Sequence, residues 1–144
     1  MMICDTSGLI AAYGQDRSRE RRVIDVLQAD AQSLVLSPFI LAELDYLVAS
    51  RSGVGAELKV LEDVANGIYR LAEFTPRDVA QAAELVTQYK DLNIGLADAS
   101  IVVLAARYNT TRVLTFDQRH FRAMKPLHAA SFTLLPADAE GSAS

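Results

Sequence analysis

The sequence predicts an α/β fold with a central, mainly parallel sheet of four to five short strands, and three observations carry that prediction. Short β-rich runs alternate with stretches at helical spacing along the chain, the pattern of parallel strands joined by helical crossovers. The strand-sized runs are mostly apolar and do not alternate in polarity, as strands covered on both faces do not. No internal repeat or linker interrupts the series, and 144 residues suit one domain.

The strand candidates in order are residues 1–5, 33–36, 68–73, 112–116 and 131–135. Helices fill the intervals. Thr6 to Ala12 starts the first, and residues 17–30 place Val23, Ile24 and Leu27 at helical spacing. Pro38 sits well in the first turn of a helix through Ala49, and Ser52-Gly-Val-Gly breaks the chain before another. Pro76 and Asp78 open a helix through Tyr89 with Val79, Ala82, Ala83 and Val86 as its stripe. The helix from about Ala97 to Tyr108 is apolar nearly all round and should be among the most buried, and Asn109 can end it in a left-handed conformation. From Pro136 onward core-forming residues are lacking, so the reading is a domain over 1–135 and a flexible tail over 136–144.

Composition removes several function classes. With 51% hydrophobic and 22% charged residues the chain is compact rather than disordered. No stretch approaches the roughly twenty apolar residues of a membrane span and the start lacks a signal-peptide layout, which makes the cytoplasm the expected location. Cys4 is the only cysteine, so no internal disulfide or thiolate zinc cage can form, and His120 and His128 are too few for a histidine metal site. The net charge of −4 hides two basic segments. Arg17, Arg19, Arg21 and Arg22, interleaved with Asp16, Glu20 and Asp25, read as a solvated helix face; Arg112, Arg119 and Arg122 of the later segment are the candidates for a rim facing a polyanion.

Four acids stand inside or directly after apolar runs: Asp5, Glu43, Asp98 and Asp117. A buried, unpaired carboxylate costs several kcal/mol and so neutralises, pairs or binds a cation. None of the fourteen basic residues lies in those runs. Three of the acids also have a local explanation: Asp5 and Asp117 can cap helices, and Asp98 suits the positive end of its helix. Glu43 has Phe39, Ile40, Tyr46 and Leu47 three or four residues away, which predicts a core-facing position. Two acids end strands and two lie on helices able to flank them, so all four can converge at one sheet edge. Such a cluster suits Mg²⁺ or Mn²⁺ better than zinc, and phosphodiester hydrolysis better than other reactions. Thr6, Ser7 and Thr115 lie close enough in sequence to orient those carboxylates or bound water.

In order, Ile3-Cys-Asp5-Thr-Ser, Ser37-Pro-Phe-Ile-Leu-Ala-Glu43-Leu, Leu96-Ala-Asp98-Ala-Ser-Ile and Leu114-Thr-Phe-Asp117-Gln-Arg-His-Phe resemble the PIN-domain ribonucleases and, more narrowly, VapC-type toxins. The resemblance spans residues 1–135 and implies a three-layer α/β/α fold. It implies a Mg²⁺- or Mn²⁺-dependent endoribonuclease toxin of a type II toxin–antitoxin pair, leaving 5′-phosphate and 3′-hydroxyl ends and inhibiting translation and growth. Asp5, Glu43, Asp98 and Asp117 would be the catalytic, metal-holding acids, with the Thr115 hydroxyl nearby. The implied partners are a structured RNA loop in tRNA or rRNA, a second copy of the chain, and a VapB-type antitoxin in a heterotetramer or larger assembly. Operator DNA would be reached only through the antitoxin.

Two rivals share features of this reading. A phosphoaspartyl phosphatase or receiver also places acids at strand ends, but the phosphatase pattern wants an Asp where Ser7 stands and the receiver wants paired acids at the first strand. A PIN-like module that only binds its partner has little physical reason to keep four unneutralised acids.

Overall fold

The computed structural model describes residues 1–29 and 33–141; the last residue of the predicted 17–30 helix and residues 142–144 lie outside them. Among the described residues five strands form one sheet: β1 (Met2–Cys4), β2 (Leu34–Leu36), β3 (Arg70–Leu71), β4 (Arg112–Leu114) and β5 (Thr133–Leu135). Their order is β3-β2-β1-β4-β5 and every pairing is parallel, with Ile3 opposite both Val35 and Val113. The α/β expectation holds, and each strand candidate contains one of the five. The 68–73 candidate shortens to two exposed residues at one edge of the sheet.

Among the described residues seven α-helices surround the sheet, α1 (Thr6–Ala12), α2 (Arg17–Ala29), α3 (Pro38–Ala65), α4 (Pro76–Gln88), α5 (Leu96–Arg107), α6 (Gln118–Ala123) and α7 (Ala137–Gly141), with a short 3-10 helix over Lys90–Leu92. Local chemistry sets their starts. Ser37 caps α3 by accepting from Phe39 N–H with Pro38 in the first turn, and Thr75 with Asp78 closes a capping box on α4. Asn109, at φ 50°, takes the left-handed turn that ends α5. The break predicted at Ser52-Gly-Val-Gly is a kink inside α3, where Gly53 at φ 85° and ψ −178° divides it into two arms.

The core is continuous through the sheet. Ile3, Cys4, Val35, Leu36, Ile101, Leu104, Val113, Leu114 and Leu134 are fully buried, each large apolar side chain contributing about 1.5–3 kcal/mol. In α5 every residue from Ala99 to Ala105 is buried, as its all-round apolar sequence predicts. Gly8 lets α1 settle on β4: a Cβ there would lie 2.6 Å from the Leu114 carbonyl oxygen. That approach brings the start of α1 to the end of β4.

The predicted tail is folded over its described part. In α7, Glu140 pairs with Arg22 of α2, while Asp138 pairs with Arg122 of α6 and accepts from Leu134 N–H. These charged contacts hold a segment whose lack of apolar residues made it read as frayed. Among the described residues no helix is long and apolar enough to cross a membrane.

Candidate metal centre

The chain runs from β1 through β2 to β3 on one side and returns to place β4 on the other, so β1 and β4 flank the point where strand order reverses. Ligands in open parallel sheets collect beyond the carboxyl ends of strands at such a point. There the backbone of Asp5 donates to Leu114 O, at 3.0 Å, and a groove of about 750 Å³ opens above it. Asp5, Glu43, Asp98 and Asp117 all line that groove.

Asp5 follows β1 and is buried. Although it stands at the N-cap of α1, its side chain makes no capping bond. Its Oδ2 instead accepts from Thr115 Oγ1 at 2.6 Å and Ser7 Oγ at 3.0 Å. Ser7 Oγ in turn accepts from Phe116 N–H at 2.9 Å, and Thr115 Oγ1 from Asp117 N–H at 2.9 Å. Burial pushes the Asp5 carboxyl above the ordinary carboxylate range; the two hydroxyls pull against that, and Asp117 adds to it. The neighbouring Cys4 thiol is pushed up to about 12 by its own burial and then by Asp5, so it remains protonated.

Asp98, in the first turn of α5, is raised to about 6, first by burial and then by Asp5, with Asp117 and Glu43 adding to the rise and His120 opposing it. The capping role foreseen for Asp117 is real, since its Oδ1 accepts from His120 N–H at 3.1 Å. Its other oxygen, Oδ2, lies 3.0 Å from His120 Nδ1, which is also 3.2 Å from Asp98 Oδ2. These are close electrostatic contacts and not hydrogen bonds, because the angles are poor enough to leave Nδ1 without a partner.

His120 is the residue that composition misses. Two histidines cannot build a histidine site, yet one beside two aspartates completes a mixed one: Asp98, Asp117 and His120 offer ligand atoms all within 4.8 Å of one another. The sequence signal was the spacing of Asp117 and His120, three apart on one short helix turn. Glu43 needs a correction. It is exposed on the groove wall, because Ile40, Leu44 and Val48 form the buried stripe of α3 and Tyr46, counted among its apolar neighbours, is 70% exposed.

A divalent cation fits this donor set. Carboxylates dominate it, and two polar atoms at the groove, Thr6 Oγ1 and His120 Nδ1, are buried with no hydrogen-bond partner. Both could meet an ion or its water. Among the described residues, Asp5, Asp98 and Asp117 have no arginine or lysine within ion-pair distance. Oxygen donors favour Mg²⁺ or Mn²⁺, and the imidazole is the one softer ligand.

The structure does not bring Arg112, Arg119 and Arg122 to the groove. Arg112 begins β4, at the opposite end of the strand from the groove, and Arg122 is held by Asp138 and Gln118. Arg119 is exposed on α6 but does not line the groove. Arg17, Arg19 and Arg51 do, so the early basic segment is only partly a solvated face.

The profile of the PIN domain matches residues 2–126. The chain is 47% identical over 135 residues to Ribonuclease VapC26 of Mycobacterium tuberculosis, covering 94% of this chain and all of that protein. Among solved structures, VapC20 of Mycobacterium tuberculosis, a toxin cleaving the sarcin–ricin loop, superposes with a TM-score of 0.78 at 15% identity over 90% of this chain and all of that one. VapBC2 of Rickettsia felis, bound to a DNA fragment from its promoter, gives 0.64 at 19% identity over 92% and 96%. With the three-layer arrangement of helices around a parallel sheet, this chain belongs to the PIN domain family, within its VapC ribonucleases.

Proposed function

We propose that this chain is a Mg²⁺- or Mn²⁺-dependent endoribonuclease acting as the toxin of a type II toxin–antitoxin pair, cutting RNA to leave 5′-phosphate and 3′-hydroxyl ends. The observation that carries the reading is the convergence of Asp5, Asp98, Asp117 and Glu43 on one groove where, among the described residues, no arginine or lysine pairs with the first three and His120 alone lies beside two of them. The relation to Ribonuclease VapC26 supports RNA as the substrate class.

Asp5, Asp98, Asp117 and Glu43 would hold the cation, with His120 beside them. When bound, such an ion supplies water activation and charge stabilisation at the phosphate. Thr115 and Ser7 fix the rotation of the Asp5 carboxylate through its Oδ2. Asp117, locked at the start of α6 by its own cap, keeps Oδ2 toward the groove side where His120 and Asp98 meet. No serine, lysine or histidine nucleophile is needed for hydrolysis by water.

The partner set follows the same reading: a VapB-type antitoxin, a homodimer within a heterotetramer or larger complex, contact with operator DNA only through the antitoxin, and action in the cytoplasm on a structured loop of tRNA or rRNA. A protein partner is supported by apolar side chains left outside: Val54, Leu58 and Leu61 share one face of the second arm of α3 and are 66%, 57% and 38% exposed.

RNA 5′-monophosphate ends should be mapped across the transcriptome in cells briefly expressing the chain or its Asp98→Asn variant, with growth followed in parallel. New ends at a few defined sites, accompanied by growth arrest and both lost in the variant, are expected. Identical end maps for the two proteins, each folded and present, would sink the nuclease reading.

A further inference from the structure

Arginines in this molecule divide by what they touch. Arg21, Arg22, Arg107 and Arg122 are paired with carboxylates, and Arg19 is held between Asp16, at 3.4 Å, and the Phe116 ring, at 4.5 Å. Arg17 and Arg51 line the groove, are exposed, and have no side-chain hydrogen bond, ion pair or ring contact among the described residues. They come from different helices, Arg17 opening α2 and Arg51 closing the first arm of α3 just before the Gly53 kink.

A bond between their neighbours ties the two segments together. Ser52 Oγ, next to Arg51, donates to Gln15 Oε1, two residues before Arg17, at 2.8 Å. Gln15, Ile10 and Leu47 also line the groove. Two unpaired guanidinium groups are thus presented toward one groove whose inner end is acidic. An arginine without a carboxylate, set beside a cluster that repels anions, is suited to a phosphate lying outside that cluster.

We propose that Arg17 and Arg51 form a two-sided phosphate clamp that grips the backbone of single-stranded RNA on either side of the groove and delivers the strand to the acids. The proposal rests on the nuclease reading above. It assigns the arginines a positioning role, with Gln15 and Ser52 tying their segments together, and it replaces the Arg112–Arg119–Arg122 rim expected from sequence. Each phosphate neutralised releases counterions, so the affinity for RNA should carry a measurable salt signature from these two side chains.

The test uses the full chain carrying Asp98→Asn, without divalent ions, and a fluorescent single-stranded oligoribonucleotide titrated at several salt concentrations. Adding Arg17→Gln and Arg51→Gln together should weaken binding and flatten the slope of log affinity against log salt by about 1.4, roughly 0.7 for each phosphate contact on a single strand. Arg17→Lys with Arg51→Lys should keep most of the slope, whereas Arg77→Gln, the loss of one charge on α4 away from the groove, should leave it unchanged. Melting curves superposing on the parent would exclude misfolding. A slope unaltered in the Gln pair, or lowered equally by Arg77→Gln, overturns the clamp while leaving the nuclease reading intact. If the Asp98→Asn chain binds no RNA even at low salt, the clamp and the nuclease reading fall together.

Discussion

Asp138 and Glu140 on the outer surface each meet an arginine, while among the described residues Asp5, Asp98 and Asp117 in the groove meet none. The consequences run in opposite directions. Arg122 holds the Asp138 carboxyl below its usual range and Arg22 does the same for Glu140, whereas burial holds Asp5 and Asp98 above theirs. The chain has fourteen basic residues and uses several of them to pair surface acids, so the unpaired state of the groove acids is a feature of where the helices put charge. Arg17 and Arg51 stand on the same groove and still make no ion pair with those acids. His120 is the one basic side chain beside Asp98 and Asp117 among the described residues, and a bound cation is the simplest source of further positive charge for the cluster.

The sharpest way to break this contrast is Asp98→Asn. Removing one groove acid should lower RNA cleavage by roughly 10²–10³-fold or more, the loss of several kcal/mol of transition-state stabilisation. It should not lower the metal-free melting temperature, because a like charge is removed from beside Asp5 and Asp117. Cleavage assays and thermal melts on the same preparation check both parts. A variant that melts well below the parent would mean that Asp98 is a structural acid like those outside.

Next in size is the support around Asp5. Thr115→Val should cost about 10–100-fold in Mn²⁺ affinity by calorimetry, as is usual when a residue orienting a metal-binding carboxylate is lost. Thr115→Ser should recover most of it, since the hydroxyl is what reaches Oδ2. Unchanged affinity in Thr115→Val would remove Asp5 from the cation's surroundings.

Much of this was readable in the chain. Each strand lies within a short apolar run, because residues such as Ile3, Val35 and Val113 are covered on both faces and leave no room for alternation. Asp5, Asp98 and Asp117 were legible for the related reason that carboxylates inside apolar runs have few local partners. The misses are tertiary. Glu43 sits one position from the true stripe residue Leu44, and a shift of one residue turns a helix side chain by about 100°, from core to groove wall. Arg17 reads as solvated until α2 is docked along α1 and its first residue meets the groove. Residues 137–141 carry no apolar signal, because ion pairs to Arg22 and Arg122 hold them.

The pH response sharpens the contrast further. Asp98 has a folded value near 6 against 3.8 as its ordinary value, so its contribution to stability is fully present below 3.8 and lost as pH rises through about 6. The metal-free chain should therefore lose melting temperature between pH 5 and pH 7.5 relative to Asp98→Asn, and saturating Mg²⁺ should abolish most of that loss. Melting both proteins across the range, with and without the ion, reads the effect directly. A difference that grows in the other direction would mean that Asp98 is paired in the fold.

The smallest expected effect tests whether the two sets of acids are independent. Glu140→Gln removes the partner of Arg22 on an exposed surface, where ion pairs contribute little, and should move the melting temperature by no more than about 2 °C. Arg22 also lies over the Phe116 ring, at 5.1 Å, and Phe116 stands between Thr115 and Asp117. Release of Arg22 from Glu140 leaves that ring contact and the Arg19 contact in place, so Mn²⁺ affinity should not change. A clear fall in affinity would mean that α7 acts on the groove through Arg22 and Phe116, and the outer acids would then belong to the support of the inner ones.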